Sequence, residues 1–208
     1  MRNTIILLLF SCAAWGQTAE EYNNSGKAKS ELGDYQGAIQ DYNKAIELIP
    51  KAAGVYNNRG VAKDYLKDYL KDYQGAIQDY NKAIELNPNY ADAYTNRGLA
   101  KYNLEDYKGA IQDYNKALEL NPKDAKAYNN RGYAKDKLGD GKGAIQDYNK
   151  AIELNPKYAL AYINRGAAKY KLGDKAGACS DWEQASILGN TEVQSLINKH
   201  CYGKLKKG

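Results

Sequence analysis

Arginine and asparagine side chains recur at a regular spacing along this 208-residue chain, and their types could support ion pairing or ligand binding. The triplet Asn-Arg-Gly has its arginines at Arg59, Arg97, Arg131 and Arg165. A guanidinium group pairs with a carboxylate through two parallel hydrogen bonds. An asparagine amide both donates to and accepts from a peptide backbone. The triplet therefore predicts either structural ion pairs or a polar stripe that contacts a ligand.

Residues that carry catalysis are sparse by comparison. His200 is the only histidine. The sequence has no Ser/His/Asp set, no glycine-rich phosphate loop and no His/Cys cluster with the spacing of a metal site. Lysine, glutamate and aspartate recur at repeated positions, as they do on a solvated helical surface. We therefore expect a chain that is not an enzyme and that needs no cofactor and no metal.

The recurring residues belong to a repeat of fixed period, which has to be recognised before helices or strands are assigned. The glycines of the triplets, together with a weaker copy at Gly26, follow one another at spacings of 34, 38, 34 and 34 residues. The chain has 20 tyrosines and a single phenylalanine. Both observations indicate that one short unit has been copied.

Each unit has the same pattern of aromatic, small and helix-ending residues. Counted from the first residue of the unit 91–124, positions 4, 8, 20, 24, 27 and 32 hold Tyr94, Gly98, Ala110, Tyr114, Ala117 and Pro122. Residues three or four apart share a helix face, so each unit predicts two helices, A and B. The pattern closely resembles the tetratricopeptide repeat family. The resemblance implies an all-α fold, a right-handed α-solenoid of stacked antiparallel helix pairs with a C-terminal capping helix.

The resemblance also divides the chain. It predicts five repeats over residues 19–190, a capping helix and short flanking segments. The segments are a signal peptide at 1–16, repeats at 19–52, 53–90, 91–124, 125–158 and 159–190, the cap at 191–203 and a basic tail at 204–208.

Glycines mark two places in each repeat. Gly139 stands in a Leu-Gly-Asp triplet, where we expect the glycine to end helix A in the left-handed conformation and the aspartate to cap helix B. The first turn of every helix B also contains a glycine, which is Gly109 in the third repeat. Glycine at such a position costs about 1 kcal/mol of helix stability relative to alanine. This glycine predicts a close backbone approach, although copying of one ancestral unit also explains it.

The arginine of each triplet occupies position 7, and position 23 is always aspartate. In tetratricopeptide stacks helix A packs on helix B of the preceding repeat, and the first repeat, which has no predecessor, carries Ser25 at position 7. We therefore predict ion pairs between repeats, with a ligand-binding arginine stripe as the alternative. The predicted pairs are Asp41–Arg59, Asp79–Arg97, Asp113–Arg131, Asp147–Arg165 and Asp181–Lys199.

The resemblance implies a concave groove lined by positions 2, 5, 6, 9, 12 and 13 of the A helices, where partner peptides lie. Position 6 is asparagine in every repeat, and it either contacts a peptide or hydrogen-bonds between repeats. Position 5 is never lysine, so the family's clamp for the terminal carboxylate of a chaperone peptide is absent as a set. The predicted groove residues are Asn57, Asn58, Val61, Tyr65, Thr95, Asn96, Leu99, Tyr102, Asn129, Asn130, Tyr133, Ile163, Asn164 and Tyr170.

The second repeat is four residues longer than the others and contains a duplicated Lys-Asp-Tyr-Leu. Four residues are slightly more than one helical turn. We expect the duplication to lengthen helix A by a turn. The alternative is a projecting helix end that enlarges one lip of the groove.

The N-terminal segment and the cysteines concern localisation. Arg2, an apolar run and an Ala-x-Gly pattern predict a signal peptide and an exported protein, periplasmic or extracellular. The alternative is a lipoprotein anchored to the membrane at Cys12. No later segment is apolar enough for a transmembrane helix. Export would permit a disulfide between Cys179 and Cys201, with two packed thiols as the other possibility.

Charge and repeat type together suggest the function. The net charge is +5, and basic and acidic residues are interspersed, which argues against nucleic acid as a partner. We expect a non-catalytic scaffold, a monomer or a weakly self-associating one, that binds a peptide or partner protein in the groove of its A helices. The alternative is an RNA-binding helical-repeat protein.

Overall fold

Eleven α-helices and no strand are found in the residues that the computed structural model describes, 17–66 and 72–202. Five A/B pairs are followed by one short helix, so the all-α solenoid prediction is confirmed. The predicted signal peptide with Cys12, the basic tail and part of the duplication lie outside these residues. The helices are α1 (Ala19–Glu31), α2 (Tyr35–Leu48), α3 (Ala53–Asp64), α4 (Tyr73–Leu86), α5 (Ala91–Asn103), α6 (Tyr107–Leu120), α7 (Ala125–Lys137), α8 (Gly141–Leu154), α9 (Ala159–Lys171), α10 (Lys175–Ile187) and α11 (Gln194–His200).

The helix pairs stack in sequence order. Each A helix packs along the B helix of its own repeat, and each B helix packs on the A helix of the next repeat. Successive A helices also contact one another, whereas among the described helices successive B helices do not. The A helices therefore lie closer together and form the inner face of the stack.

A tyrosine of helix B fills the interior of each of the first four pairs. Ala110, Tyr114 and Ala117 of α6 are fully buried or nearly so. A Cβ atom on Gly98 of α5 would lie 2.8 Å from Tyr114 Cε1, so only glycine lets the two helices approach around the ring. Trp182 replaces the tyrosine in the fifth pair.

The turn between helices A and B has the predicted conformation. Gly139 and Gly173 have φ of 85° and 91°, and in the third repeat Glu105 occupies the same left-handed position with φ of 63°. Asp106 then caps α6, because its Oδ1 accepts a hydrogen bond from the Gly109 N–H at 2.9 Å. The other four B helices are capped in the same way.

The cap explains the glycine in the first turn of every B helix. A Cβ atom on Gly109 would collide with the carboxylate of Asp106. The predicted close approach is therefore present, but a capping side chain makes it and the backbone of another element does not.

The duplication in the second repeat does not lengthen helix A, contrary to prediction. α3 ends at Asp64 and has 12 residues, against 13 in α5, α7 and α9. Tyr65 and Leu66 follow α3 outside the helix, and α4 begins at Tyr73. Helices in proteins depend on packing for most of their stability. An extra turn of α3 would need packing contacts of its own to be stable.

The C-terminal end of the stack is closed by α11, which lies inside the segment predicted as a cap. Val193 and Ile197 are buried against Trp182 and two alanines of α10. Cys179 and Cys201 are joined by a disulfide with a Cα–Cα distance of 5.7 Å. Of the two possibilities left by the sequence, the structure has the disulfide. No described helix is long and apolar enough to cross a membrane.

Candidate binding groove

A cavity of about 330 Å³ opens on the inner face between α5, α7 and α9. It spans three repeats, and none of its lining side chains is charged. The lining residues are Leu99, Tyr102, Asn103, Tyr114, Asn129, Asn130, Tyr133, Leu160 and Asn164.

Six of the predicted groove residues meet at this cavity, and three lining residues are missing from the predicted set. Leu160 at position 2 and Asn103 at position 13 occupy groove positions of the repeat, so position alone could have identified them. Tyr114 lies on helix B and is buried in the core, so its sequence position indicated only a core residue and not that it also lines the cavity.

Two stacked tyrosines form one wall of the cavity. The ring centroids of Tyr102 and Tyr133 are 5.1 Å apart, and their planes differ by 25°. Burial, followed by the neighbouring Tyr133, raises the pKa of the Tyr102 hydroxyl. Burial also raises the pKa of Tyr114. These hydroxyls therefore stay neutral at physiological pH and remain able to donate and accept hydrogen bonds.

Three of the five asparagines at position 6, Asn58, Asn96 and Asn164, hydrogen-bond between repeats, which is the alternative that sequence left open. Asn96 Nδ2 donates to Asn57 Oδ1 at 3.0 Å, and Asn164 Nδ2 donates to Asn129 Oδ1 at 3.0 Å. Asn58 bonds to the first repeat in the same way. Asn57 is only 6% exposed, so its assignment as an open groove contact is corrected: it holds neighbouring A helices in register.

Predicted groove residues near the ends of the stack have other surroundings. The Tyr170 hydroxyl lies 3.0 Å from His200 Nδ1, and Ile163 packs in the same cluster beneath the cap. These two residues therefore belong to the cap interface, a second correction. At the other end Val61 packs against the core around Tyr80, while Tyr65 is 58% exposed and stacks on a tyrosine of α2.

The arginines of the triplets form buried ion clusters within each repeat. In the third repeat, Arg97 Nε and Nη2 donate to Asp113 at 2.9 Å and 2.5 Å, and Lys101 Nζ lies 2.7 Å from the same carboxylate. Asp113 is only 4% exposed. The same cluster is formed by Arg59, Lys63 and Asp79, by Arg131, Lys135 and Asp147, and by Arg165, Lys169 and Asp181.

The predicted ion pairs between repeats are therefore wrong. Positions 7 and 23 face each other across the A/B hairpin of one repeat, so each aspartate is already paired within its own repeat. Asp181 bonds to Arg165, and its predicted partner Lys199 has no part in the cluster. In the first repeat, Asp41 pairs with Lys29 at 2.7 Å and accepts a hydrogen bond from Ser25.

Each arginine does connect neighbouring repeats, but through an amide. Arg97 Nη1 donates to Asn81 Oδ1 on the preceding B helix at 2.7 Å. Its guanidinium also lies over the Tyr94 ring, 5.4 Å from the centroid. In the first repeat, which no described helix precedes, position 7 is Ser25 in place of arginine. With these contacts satisfied, the arginines do not form a free ligand-binding stripe.

The sequence matches of the chain agree with this geometry. The family profile described as "TPR repeat" matches residues 26–63, 69–105 and 137–173, which is more than half of the chain. The chain belongs to the tetratricopeptide repeat family. Two profiles described as "Tetratricopeptide repeat" match residues 91–124 and 113–146. The fold and the family implied by the sequence pattern are thus confirmed.

Several known tetratricopeptide repeat proteins are similar to parts of the chain. A homolog of tetratricopeptide repeat protein 36 from Nematostella vectensis is 49% identical over 41 residues, which are 20% of this chain and 23% of that protein. The chain thus matches about a quarter of the length of this relative. The crystal structure of MamA is 26% identical, with a TM-score of 0.69 over 81% of this chain and 96% of MamA. The first TPR of Spaghetti (RPAP3), bound to an HSP90 peptide, is 31% identical, with a TM-score of 0.56 over 59% of this chain and 94% of that one.

Proposed function

We propose that the chain is a non-catalytic scaffold that binds an extended segment of a partner protein on the inner face of its A helices. The observation that supports this most is the uncharged cavity between α5, α7 and α9. Tyr133 and Leu160 line it and remain 40% and 47% exposed. Exposed apolar side chains grouped with amides in a concave site are typical of binding sites.

The solved relative with a bound peptide supports the class of partner but not its chemistry. Spaghetti (RPAP3) binds an HSP90 peptide through its first TPR. The clamp by which the family holds a chaperone peptide needs lysine at position 5, and this chain has asparagine, threonine or isoleucine there. We therefore expect an uncharged, partly apolar segment as the ligand and not an acidic chain end.

The alternative partner, RNA, finds less support at this site. Affinity for nucleic acid depends on lysines and arginines that contact phosphates. The arginines of the triplets are engaged by aspartates, and the cavity is lined by uncharged residues. Salt-sensitive binding of RNA is therefore not expected.

We also propose that the protein is exported. The N-terminal apolar run is consistent with a signal peptide, and the Cys179–Cys201 disulfide is consistent with an oxidising compartment. Determination of the N-terminal residue of the mature protein tests this proposal. A chain that begins at Gln17 agrees with a cleaved signal peptide, lipid on Cys12 indicates the lipoprotein alternative, and an intact Met1 contradicts export.

Selection of ligands from a library of linear 12-residue peptides displayed on phage tests the groove. The purified chain is the bait, and each enriched peptide is then measured against two variants. Leu160→Asp places a charge in the cavity. Leu48→Asp places the same charge at the end of α2, at a leucine of similar exposure (55% against 47%) that does not line the cavity.

We expect enriched peptides to lose at least tenfold in affinity for Leu160→Asp, because a bound peptide would bury the carboxylate without a partner. They should bind Leu48→Asp as they bind the parent chain. Equal binding to both variants, or no enrichment, contradicts the groove. Binding of a polyuridine RNA that weakens steeply with salt would favour the RNA alternative.

A further inference from the structure

Two hydrogen bonds present elsewhere in the stack are missing at the cavity. The first concerns the tyrosine at position 24. The Tyr80 hydroxyl donates to Asp64 Oδ2 at 2.6 Å, and the Tyr42 hydroxyl lies 3.4 Å from Ser30 Oγ, so in the first two repeats this hydroxyl meets the polar residue at position 12. Position 12 of the third repeat is Tyr102, and the fully buried Tyr114 hydroxyl has no hydrogen-bond partner in the described part of the chain.

The second missing bond belongs to the row of asparagines. Asn58, Asn96 and Asn164 each donate to an asparagine at position 5 of the preceding repeat. In the repeat that precedes Asn130, position 5 is Thr95 and not asparagine, and the series of bonds is interrupted there. Its amide nitrogen donates to none of the described side chains, and the buried Thr95 Oγ1 also has no partner.

Both interruptions fall at the junction of the third and fourth repeats, and the two residues that they leave without these bonds, Tyr114 and Asn130, line the same cavity. A buried polar group without a partner costs about 1–3 kcal/mol, and such groups are rare in folded proteins. The third and fourth repeats therefore place a buried hydroxyl without a partner, on Tyr114, and an amide nitrogen without a described partner, on Asn130, in residues that line one cavity.

The walls restrict what that ligand can be. The stacked rings of Tyr102 and Tyr133 offer a flat apolar surface, which favours another ring. No lining side chain is charged, so a charged ligand group would lose its hydration without gaining a counter-ion. The volume of about 330 Å³ is near the lower limit of about 300–1,000 Å³ for small-molecule sites, so it suits a single large side chain.

We propose that this cavity is a subsite for one aromatic side chain with a hydrogen-bonding group at its end, a tyrosine of the peptide held in the groove. The ring lies against Tyr102 and Tyr133, and its hydroxyl bonds to the Tyr114 hydroxyl and the Asn130 amide. This inference rests on the proposed peptide-binding function and specifies its ligand.

Blocked tripeptides test the subsite without knowledge of the natural partner. Acetyl-Gly-Tyr-Gly-amide is titrated into the ¹⁵N-labelled chain, and backbone and asparagine side-chain signals are followed by NMR. The matched probes carry Phe, Leu or Glu in place of Tyr. We expect the Tyr probe to bind about fivefold more tightly than the Phe probe, the factor that corresponds to about 1 kcal/mol for one net hydrogen bond. The Glu probe is expected to bind more weakly than both.

Two tyrosine variants separate the effect of the Tyr114 hydroxyl on binding from any effect on folding. Tyr114→Phe keeps the ring and removes the unpartnered hydroxyl, so we expect it to fold with unchanged stability and to lower the preference for Tyr over Phe to about twofold or less. Tyr148→Phe is the matched control, because Tyr148 is equally buried at the same position of the next repeat and does not line the cavity. It should keep the fivefold preference.

A third variant tests the freed amide. Thr95→Asn restores the partner that Asn130 lacks, so we expect weaker binding of the Tyr probe while the melting temperature stays the same or rises. Equal binding of the Tyr and Phe probes, or the same loss of preference in Tyr114→Phe and Tyr148→Phe, overturns the subsite. If selected 12-residue peptides still depend on Leu160 in that case, the groove stands and only its side-chain specificity is wrong.

Discussion

Replacement of Asp113 by alanine tests the ion cluster that replaces the predicted pairs between repeats. The Asp113 side chain is 5% exposed and accepts from Arg97, which is 18% exposed, and from Lys101, which is 22% exposed. Asp113→Ala leaves these two cations mostly buried without a counter-charge. Removal of one partner of a buried ion pair costs about 3–5 kcal/mol. We expect the lower end, about 3 kcal/mol, because Arg97 keeps its bond to Asn81 and both cations retain some hydration.

The same helix provides the control. Glu119 is 65% exposed, and its only salt bridge with a described residue is to the exposed Lys116, at 2.9 Å. An exposed pair of this kind contributes about 0.3–0.5 kcal/mol. Glu119→Ala removes an acidic residue from α6 without disturbing a buried cluster, so it should change the free energy of unfolding by no more than this amount.

Urea unfolding followed by circular dichroism measures both effects. With a denaturant slope of about 1–3 kcal/mol/M, a loss of 3 kcal/mol lowers the midpoint by about 1 M or more. Double-mutant cycles identify which arginine pairs with Asp113. Asp113 and Arg97 should show a coupling energy above about 1 kcal/mol, and Asp113 and Arg131 should show almost none. Similar midpoints for Asp113→Ala and Glu119→Ala, or coupling to Arg131 in place of Arg97, would refute the cluster.

Three further outcomes follow from the fold. Gly98→Ala should destabilise the chain by about 1–3 kcal/mol, because its Cβ would lie 2.8 Å from the Tyr114 ring, while Gly54→Ala, with no atom within 4 Å, should be neutral or stabilising in thermal melts. Cys201→Ser should lower the stability of the cap by about 3 kcal/mol, because the disulfide closes a loop across a sequence separation of 22 residues and so restricts the unfolded chain. Hydrogen exchange of the cap amides measures this loss. Burial raises the pKa of Asp64 to about 7, above its value in the unfolded chain. The free energy of unfolding should therefore fall as the pH rises from about 4 to about 7. Asp64→Asn should remove this pH dependence when unfolding is measured by urea titration.

Each of these outcomes has a result that contradicts it. Equal melting temperatures for Gly98→Ala and Gly54→Ala would mean that the ring yields at no cost. A stability of Cys201→Ser that equals that of the oxidised parent would mean that the disulfide adds nothing to the cap. The same pH dependence in the parent and in Asp64→Asn would assign the titration to another group.

The repeat made most of the fold predictable. Positions 8 and 24 could be assigned to a close helix contact because glycine and an aromatic residue recur there, and Gly98 and Tyr114 meet as that pattern requires. The left-handed turn was predictable from Gly139 and its equivalents, since few other residues adopt it. The third repeat shows the limit, because Glu105 takes this conformation without being glycine.

The ion-pair partners of the recurring arginines and aspartates were harder to predict, because the same charges recur in every repeat. When every repeat carries arginine at position 7 and aspartate at position 23, pairing within a repeat and pairing between repeats produce the same sequence pattern. One signal could have separated them. Lys29 occupies position 11 of the first repeat, one turn beyond position 7, and it pairs with Asp41 although no earlier repeat exists.

The candidate cavity depends on departures from the repeat and not on the repeat itself. Thr95 and Tyr102 each replace the residue that would satisfy a neighbouring polar group, but sequence alone does not show that Asn130 and Tyr114 face the same space. Only the distances between neighbouring helices reveal this. Departures of single residues in near-identical repeats are therefore the positions from which specificity is best predicted.

The most direct test of the account is to map where a selected peptide binds. A 12-residue peptide enriched on the parent chain is titrated into the ¹⁵N-labelled protein, and the amide signals that shift are assigned. We expect the shifts to cluster on the inner face of α5, α7 and α9, with the largest at Leu99, Asn130 and Leu160. Shifts confined to the B helices, or to the surface around Leu48, would show that the chain binds its partner elsewhere.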